Sequence, residues 1–599
     1  MDKAFDLFKP ILSQQWKNQD SAAILLSDFA EGYFFLDIVQ HWLHDAGRSQ
    51  RLHCFAFIQE IDAALPLALN GSIHGNDSLR SIVDELKQKW PPPVAGFHRV
   101  FLNQHSVILT VVYGQFEAQL SEVSGSFDVF LLNHSCENLD LISLKQIWRL
   151  SQANSQILTN ATDKNSQAQL IKAGFSPQLH DSTRFLTASC LRSPKPLCPA
   201  PEQKAAIVIG AGIAGCAVAN SLALRNWKIQ LIDSAAEIAS QASGNHIGLC
   251  HPTFSLDDNF QARLSRAGFL LTQQKLNALN QQPIATVHFG ADEHFQIATS
   301  SGAAELMQAI LKQQQAAAFF IEWLNAEQAK SQLAIECQFG GWWFPRGMWI
   351  NPASACNGYI NESIEYIDLS LNTYVDRIEY LDKQWCLFSS NNTLIASTDT
   401  LILANAHDAA RLLPHTELAL SSSLRSVTKI PANQLNTTNI GVSGQSYLTA
   451  EFGGFRCAGA ALVNEDMSES EVQANNLRDL ANLIGPAALL QTSNTQTRQC
   501  MRPNSADRLP LVGAVPATAP ISHSVHQLFH IPKSTGIYTV LGFGARGLSW
   551  HVLAAEVLAC QLNKEPQGIE RSLIDAIDPS RFMLRRLRKL SAQKIMKSR

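Results

Sequence analysis

The stretch AAIVIGAGIAGCAVANSLALRNWKIQLID, from Ala205 to Asp233, decides the fold of most of this chain. An apolar strand runs into Gly210-x-Gly212-x-x-Gly215, an alanine-rich helix follows, and a second strand ends at Asp233. Gly210 permits the tight turn, Gly212 lets backbone N–H groups approach a pyrophosphate at the helix N-terminus, and Gly215 lets helix and strand pack closely. Asp233 is placed to accept hydrogen bonds from ribose hydroxyls. The segment predicts a βαβ unit that binds a dinucleotide, against the alternative of a glycine-rich turn without a ligand.

Two further glycine-containing regions bear on which dinucleotide is bound. They are ASGNHIGLCHP at 242–252, and PLVGAV at 510–515 together with GIYTVLGFGARGLSW at 536–550. The last segment puts a glycine-rich turn before an apolar helix, whose N-terminus would direct its positive dipole end at a reduced flavin ring. This arrangement favours FAD over NAD, which the spacing alone does not exclude. Besides the four residues above, the candidate cofactor-binding residues are Ser243, Gly244, Asn245, Val375, Gly513, Gly544 and Gly547.

The domain organisation follows from one linker and from the order of apolar runs. Residues 191–204 read LRSPKPLCPAPEQK, with four prolines and no apolar periodicity. We therefore expect a first domain at 1–200 and a second at 201–599. In the first, strand-like and helix-like segments alternate, which predicts a doubly wound α/β sheet. The second starts with the same signal and continues with many short strands, which predicts a Rossmann subdomain followed by a mixed-sheet substrate subdomain.

Composition excludes several classes of protein. With 46% hydrophobic and 16% charged residues, the 599-residue chain is not intrinsically disordered. Its 12 cysteines contain no Cys-x-x-Cys pair, so we predict no zinc ribbon, dithiol redox site or other metal site. The N-terminus has no signal-peptide pattern, and Arg546, His551 and Glu556 interrupt the most apolar late stretch. We expect a cytoplasmic protein without a membrane segment.

Several segments taken together resemble a known family. They are GAGIAG, the ASGN and HP residues of 242–252, FPRGMWINP at 344–352, MRPNSADRLPLVG at 501–513, GARGL at 544–548 and DPSRFMLRRLRK at 578–589. This set resembles the flavin module of the bifunctional tRNA 5-methylaminomethyl-2-thiouridine biosynthesis family, within the glycine oxidase and D-amino-acid oxidase superfamily. WPPPVAGFHRVFL at 90–102 resembles the methyltransferase half of the same family. The resemblance implies a methyltransferase-like first domain and an FAD-dependent oxidoreductase second domain.

The resemblance also implies a reaction and site residues. Family members oxidise the carboxymethylaminomethyl group on the tRNA wobble uridine, leaving an aminomethyl group and releasing a small carboxylate product. Arg502 matches the superfamily's carboxylate-binding arginine, and Arg546 is a second catalytic candidate; the alternative is that either one pairs structurally with an acid such as Asp507. Arg498 and Arg508 are read as structural or tRNA-facing. His246, His251 and His407 are read as loop or core histidines, because an unprotonated amine loses hydride without a general base.

The first domain departs from the family pattern at its cofactor site. Members use S-adenosylmethionine to methylate the aminomethyl product, with three glycines in the cofactor loop. In the matching stretch, LSDFAEGYFFL at 26–36, only Gly32 is kept, and Asp28 and Ala30 occupy the other two glycine positions. Asn133 stands where a functional acid is expected, and Gln59 and Glu60 are out of register for another. We predict a methyltransferase fold with a degenerate site that has lost S-adenosylmethionine; the alternative is a divergent site with both tRNA steps retained.

Two other functions stay open at the sequence level. One is a flavin oxidase of a free small amine such as glycine or sarcosine, and the other is a tRNA-binding protein with a structural flavin. The net charge of −4 does not exclude RNA, because residues 581–599 carry eight Lys or Arg and no acid, which leaves −12 on the other 580 residues. This basic C-terminal tail is either the solvated end of a helix or a contact for tRNA phosphates.

Overall fold

The computed structural model describes residues 2–59, 77–132, 140–180, 185–193, 203–283, 286–290, 293–314, 320–416, 418–464, 466–489, 493–518, 525 and 527–597. The chain divides into two compact units. The first comprises Met1–Ala200 and Cys560–Ile574, and the second comprises Pro201–Ala559 and Asp575–Arg599. Among the described helices, none combines the length and the apolar character needed to cross a membrane. Two of the residues used to argue a degenerate methyltransferase site, Glu60 and Asn133, lie outside the described part of the chain.

Sixteen α-helices lie in the described part of the chain. In chain order they are Asp2–Trp16, Tyr33–His44, Asp77–Lys89, Phe116–Leu120, Leu141–Leu150, Lys164–Ala173, Ile213–Ala223, Phe260–Asn280, Ser301–Gln314, Ala326–Leu333, Pro352–Glu362, Ala409–Leu412, Glu469–Ile484, Gly547–Asn563, Arg571–Ile577 and Arg581–Lys597.

The first unit is built on one eight-stranded sheet. Its strands are β1 Ser21–Leu26, β2 Arg51–Ile58, β3 Gly96–Leu102, β4 Val107–Tyr113, β5 Phe127–Leu132, β6 Ser151–Thr159, β7 Phe175–His180 and β8 Phe185–Cys190. The spatial order is β3-β4-β2-β1-β5-β6-β8-β7, and β4, β2, β1, β5 and β6 run parallel. Two apolar clusters cover its two faces, which is why the central strands read as continuous apolar runs. The predicted α/β class with a Rossmann-like N-terminal sheet is confirmed.

Within its described residues, the second unit contains four sheets. Its strands are β9 Ala205–Ile209, β10 Lys228–Ile232, β11 Gly248–Cys250, β12 Phe289–Gly290, β13 His294–Ile297, β14 Glu322–Leu324, β15 Gly341–Phe344, β16 Met348–Ile350, β17 Ile367–Ser370, β18 Arg377–Leu381, β19 Gln384–Phe388, β20 Leu394–Thr398, β21 Leu401–Leu403, β22 Leu420–Pro431, β23 Gly441–Ser443, β24 Tyr447–Leu448, β25 Phe455–Leu462, β26 Gln496–Ser505, β27 Leu511–Pro516 and β28 Lys533–Leu541.

These strands form a Rossmann part and a mixed-sheet part. The Rossmann sheet has the order β17-β10-β9-β21-β28-β27, parallel except for β27, which runs antiparallel to β28. The large mixed sheet has the order β14-β15-β13-β23-β24-β25-β22-β26. Two three-stranded sheets, β11-β16-β12 and β18-β19-β20, accompany them. The predicted Rossmann subdomain with a mixed-sheet companion is therefore confirmed.

One short segment near the C-terminus packs with the first unit, whereas the sequence analysis assigned it to the second domain. In Cys560–Ile574, the carbonyl of Pro566 accepts a hydrogen bond from Arg99 Nη2 at 2.6 Å, and the N–H of Gln567 donates to the Ser124 carbonyl at 2.9 Å. A side chain on Gly125 would place its Cβ 2.6 Å from Pro566 Cα, so the two backbones lie in direct contact. Nothing in the local pattern of this segment marks such a long-range contact.

The basic C-terminal helix is docked rather than free along its first two turns. Met583, Leu584 and Leu587 form a buried apolar cluster with Ile531. Arg581 is almost fully buried and binds Asp507 with two nitrogens, at 2.8 and 2.9 Å. Part of the tail's positive charge is thus neutralised inside the protein, and Asp507 is paired with the tail. A role of the remaining tail in tRNA binding stays a prediction.

We expect Asp507→Asn to lower the thermal midpoint at neutral pH by a few degrees. Burial raises the pKa of Asp507, but the hydrogen bonds and charge of Arg581, aided by Arg585, outweigh it and hold the pKa at about 2. Because this lies below the ordinary value of about 3.9 for an unfolded chain, the pair stabilises the fold above about pH 4 and loses its contribution as pH falls toward 2. Thermal unfolding between pH 7 and pH 3 measures the difference, which should shrink on acidification. Asp479→Asn, at an exposed carboxylate, is the control; equal midpoints for both variants at pH 7 would contradict the pairing.

Candidate active site

The glycine-rich loop after β9 is shaped by backbone contacts that leave no room for side chains. Gly210 has φ +108°, and a Cβ there would lie 2.6 Å from the Ala404 carbonyl oxygen. A Cβ on Gly215 would lie 1.8 Å from the Gly210 carbonyl oxygen, because the helix Ile213–Ala223 packs directly on the loop. Both glycines are therefore required by the packing of helix, loop and strand.

The polar residues predicted to bind the cofactor converge on this loop. Asp233, at the end of β10, accepts a hydrogen bond from the Ala211 N–H through Oδ2 at 2.6 Å. Ser243 Oγ accepts from the Ile213 N–H at 3.0 Å and would lie 3.2 Å from a Cβ on Gly212. The loop thus brings a carboxylate, a hydroxyl and a helix N-terminus together, which is the donor and acceptor set that ribose and pyrophosphate groups need.

The segment around Gly244 and Asn245 links this loop to β26. Arg498 of β26 donates to the Gln241 carbonyl at 2.9 Å, and a Cβ on Gly244 would lie 2.7 Å from Arg498 Nη2. The Asn245 amide lies 3.9 Å from Cys500 Sγ. Residues 240–245 are consequently held against the strand that carries Arg502.

The third glycine-rich region forms a turn and a helix start. Gly513 lies in β27 opposite Thr539 of β28, and Gly544 opens the short turn that precedes the helix Gly547–Asn563. The nearest atoms to a Cβ on Gly547 belong to Phe543, at 3.8 Å, so the protein leaves space at this helix N-terminus. The N-terminus of this 17-residue helix opens into free space, so the positive end of the helix dipole points outward. This is the arrangement expected beside the negative charge of a reduced flavin ring.

Two residues that sequence reasoning missed brace this helix start. His551 Nδ1 lies 2.9 Å from the Gly547 carbonyl and Nε2 lies 2.7 Å from the Tyr359 hydroxyl. A carbonyl only accepts, so Nδ1 carries the proton and Nε2 accepts from Tyr359. Burial lowers the pKa of His551 to about 4, which keeps the ring neutral. A lone histidine in an apolar helix has no sequence signal that separates such a brace from ordinary packing.

Val375 lies just before β18, in the Rossmann part. Its side chain is buried in the core of that part, and its carbonyl accepts a hydrogen bond from Arg411 Nη2 at 2.8 Å. Two residues away, the N–H of Thr373 donates to the Asp233 carbonyl at 2.9 Å, which places this segment beside the end of β10. A cofactor contact through the Val375 backbone stays a prediction.

Arg502 lies half-buried in β26, opposite Ser423 of β22, and its charge acts on Tyr447, a residue that the sequence analysis did not select. Burial raises the pKa of Tyr447 to about 12, although the nearby charge of Arg502 lowers it. Tyr447 lies on β24, and in the mixed sheet β25 separates β24 from β22. Together the guanidinium fork and the phenol offer donors suited to one carboxylate.

Arg546 lies in the turn before the helix Gly547–Asn563, with its guanidinium 5.7 Å from the Trp550 ring centroid. Burial, and then the charge of Arg508, lower the pKa of Arg546. A β-bridge between Asn504 and Phe543 joins β26 to this turn, so the segments of the two candidate arginines are neighbours.

The three histidines occupy separate places. His251 stacks on His294 at a centroid distance of 4.2 Å, and burial, with some effect of Arg546, lowers the pKa of His251 to about 4. His246 packs on Phe452 at 5.3 Å, and His407 lies in a short turn after β21.

Comparisons with known proteins agree with this geometry. Residues 205–561 match the family model described as FAD dependent oxidoreductase. The chain is 32% identical to a protein of Azoarcus sp. (strain BH72) over 97% of this chain and 93% of that protein, and 31% identical to one of Ralstonia nicotianae over 96% and 92%. Both are named tRNA 5-methylaminomethyl-2-thiouridine biosynthesis bifunctional protein MnmC.

Solved structures share the fold of the second unit. Glycine oxidase from Geobacillus kaustophilus aligns with a TM-score of 0.52 at 17% identity, over 63% of this chain and 98% of that one. L-proline dehydrogenase from P. horikoshii aligns with a TM-score of 0.51 at 17% identity, over 64% and 98%. The glycine-rich loop, the acid after β10 and the open helix start at Gly547 fit FAD. Residues 205–561 are thus an FAD-dependent oxidoreductase module, and over nearly its whole length the chain belongs to the family of MnmC bifunctional proteins.

Proposed function

We propose that this protein removes the carboxymethyl group oxidatively from 5-carboxymethylaminomethyl-(2-thio)uridine at the wobble position of tRNA, which leaves 5-aminomethyl-(2-thio)uridine. The observation that carries the proposal is the position of Arg502, near Tyr447, on the strand β26 that holds residues 240–245 through Arg498, in a flavoprotein unit whose whole-chain relatives carry tRNA modification in their names. A secondary amine that ends in a carboxylate needs a carboxylate-binding pair next to the flavin, and this pair has the right donors.

The residues of the chain would hold and orient the substrate. Arg502 would bind the substrate carboxylate through its guanidinium fork, with the Tyr447 hydroxyl donating a further hydrogen bond. When bound, FAD would accept hydride from the carbon between the amine and the carboxylate. Water then adds to the resulting imine and releases the two-carbon acid, so the aminomethyl group stays on the uridine. Arg546 would add positive charge at the turn preceding the helix that the flavin meets.

The glycine-rich loop and helix starts would hold the cofactor. Asp233 and Ser243 would meet the ribose and pyrophosphate region, with Gly210, Gly212 and Gly215 permitting close backbone approach. Gly244 and Asn245 would line the path toward the flavin, and Gly513, Gly544 and Gly547 would border its ring. In this assignment the partners are tRNA and a small carboxylate product.

We further propose that the first unit no longer methylates the product. Its loop at 27–32 directs its own N–H groups inward. The Ala30 N–H donates to Asp28 Oδ1 at 2.8 Å, and the Phe29 and Gly32 N–H groups donate to the carbonyls of Phe57 and Phe29, at 2.7 and 2.9 Å. A glycine-rich cofactor loop would present such groups to its ligand.

A side chain also fills the space beside this loop. The Phe29 ring is 2% exposed and packs 5.5 Å from Trp90 and 5.9 Å from Phe35. Ala30 has φ +47°, a conformation that glycine adopts without strain, and Asp28 adds a negative charge where the methionine carboxylate would bind. These features support loss of S-adenosylmethionine binding.

We expect the purified holoprotein to convert the carboxymethylaminomethyl nucleoside of bulk tRNA to the aminomethyl nucleoside, with no methylated product even when S-adenosylmethionine is supplied. Mass spectrometry of the digested nucleosides measures each form. A methylaminomethyl product would contradict the loss of methylation but support the oxidation. No change in the tRNA, together with oxidation of free glycine or sarcosine, would contradict the tRNA substrate and favour a small-amine oxidase. Binding of tRNA without turnover of any amine would instead indicate a structural flavin.

A further inference from the structure

Four cations follow one another along one face of the mixed sheet. β22 and β26 pair in an unbroken antiparallel register, with Ser423 opposite Arg502, Arg425 opposite Cys500, Val427 opposite Arg498 and Lys429 opposite Gln496. Opposite residues share a face, and alternate residues along a strand return to it. Each of these four successive cross-strand pairs therefore carries one cation, in the order Arg502, Arg425, Arg498 and Lys429. We call this set the cationic row.

The opposite face of the same strands is covered, which confirms the direction of the row. The Asn476 amide, from the helix Glu469–Ile484, donates to Ser426 Oγ at 3.0 Å and to Thr428 Oγ1 at 2.9 Å. Thr428 also meets Thr497 Oγ1 at 3.1 Å. The intervening residues thus face the helix, and the cationic row lies on the other side, where Val427 packs in a cluster with Trp349.

The cationic row is not neutralised by the protein. Within the part of the chain that the structure describes, none of its four members lies in an ion pair, whereas Arg225, Arg266, Arg411 and Arg581 each bind a carboxylate. Arg498 donates to backbone carbonyls, and Arg425 Nη1 lies 3.4 Å from the Ala460 carbonyl. Like charges on neighbouring strand positions repel, so an anion bound along the row would stabilise it.

The row runs from the carboxylate-binding pair to a group of rings. Successive cross-strand pairs on one face are about 7 Å apart, so Lys429 lies about 20 Å along the sheet from Arg502. The Lys429 ammonium is 3.9 Å from the Phe455 ring centroid. Phe452, in the adjoining turn, contacts His246 at 5.3 Å and the exposed ring of His288 at 4.9 Å. We call Phe452, Phe455, His246 and His288 the ring patch.

We infer that Arg425 and Lys429 of the cationic row bind phosphates of the anticodon loop and that the ring patch stacks one of its unpaired bases, while Arg502 at the other end takes the carboxylate of the modified uridine. Single-stranded RNA is recognised by cations that follow its backbone together with rings that stack its bases. The inference rests on the proposed function and adds a place for the RNA. It also gives RNA a contact surface other than the basic tail.

Salt dependence separates the two parts of this surface. Binding of tRNA to the full-length, FAD-bound protein is measured at several salt concentrations for the wild type, Arg425→Gln, Lys429→Gln and the double variant. Each lost phosphate contact should flatten the slope of log K against log salt by about 0.7, and the double variant by about 1.4. His288→Ala should weaken binding without changing the slope, because stacking releases no counterions. Lys312→Gln, at an exposed lysine on the helix Ser301–Gln314, is the matched control and should bind as the wild type does.

The outcomes distinguish this inference from the proposed function. Retained flavin absorbance and an unchanged thermal midpoint establish that each variant is folded. If the double variant binds tRNA with the wild-type affinity and slope, the inference is wrong, even when the wild type converts the wobble nucleoside. If the wild type leaves the wobble nucleoside unchanged, the proposed function fails, and the slopes then report only whether RNA binds along this row.

Discussion

Gly215→Ala is expected to abolish flavin binding and with it all oxidase activity. The new Cβ would lie 1.8 Å from the Gly210 carbonyl oxygen, a separation that real atoms do not tolerate. Because the obstructing atom belongs to the backbone, no side-chain rotation relieves the clash. The helix Ile213–Ala223 must move away from β9, and its N-terminus then no longer lies where a pyrophosphate would bind. Purified Gly215→Ala should carry no flavin absorbance, whereas the wild type should be purified with FAD.

The matched control for this substitution is Gly302→Ala. Gly302 lies in the helix Ser301–Gln314, and a Cβ there would meet no atom within 4 Å. The control should keep its flavin and unfold at or slightly above the wild-type temperature, since alanine favours a helix over glycine by up to about 1 kcal/mol. A folded Gly215→Ala protein that retains stoichiometric FAD would show that the loop does not bind the dinucleotide.

Arg502→Ala should reduce kcat/KM for the modified tRNA by roughly thirty-fold to several thousand-fold. The estimate follows from about 2–5 kcal/mol for truncating one partner of a buried, hydrogen-bonded charge pair, with about 1.4 kcal/mol for each factor of ten. Arg502→Lys keeps the charge but loses the planar fork, so its rate should lie between those of the alanine variant and the wild type. The rate of flavin reduction in a single turnover measures this effect directly, because it precedes product release.

The control for Arg502 is Arg478→Lys, at an exposed arginine on the helix Glu469–Ile484, which covers the opposite face of the sheet. This variant should reduce the flavin at the wild-type rate. An Arg502→Ala protein that binds FAD and is reduced at the wild-type rate at every substrate concentration would remove Arg502 from the site. Arg546 would then be the better candidate for the carboxylate.

How much of the site could be predicted depended on whether its residues are close in sequence. Gly210, Gly212, Gly215 and Asp233 lie within one βαβ unit, where spacing along the chain dictates position in space. Arg502 was selected because its segment resembles a family motif. Tyr447 was missed because its neighbour in space is 55 positions away along the chain. Such a contact depends on the order of strands in the mixed sheet, which local patterns do not specify.

The first unit shows the same division on a smaller scale. Replacement of two loop glycines by Asp28 and Ala30 was visible in the sequence and predicted a degenerate site. That Phe29 turns inward and packs on Trp90 was not visible, since an aromatic residue next to a loop can equally cover a ligand. The docking of Cys560–Ile574 with the first unit was also unforeseen, because that contact joins segments more than 350 positions apart.

The sequence by itself therefore determined the α/β class, the dinucleotide loop, the preference for FAD and the family, because each depends on short-range spacing or on motifs read along the chain. Tertiary structure alone decided which charges are neutralised and which are left available. Arg581, in the most basic stretch of the chain, binds Asp507, whereas Arg425 and Lys429, which no sequence motif marks, fall on the same sheet face as Arg498 and Arg502. The physical reason is that strand register converts residues distant along the chain into neighbours, and only the folded sheet sets that register.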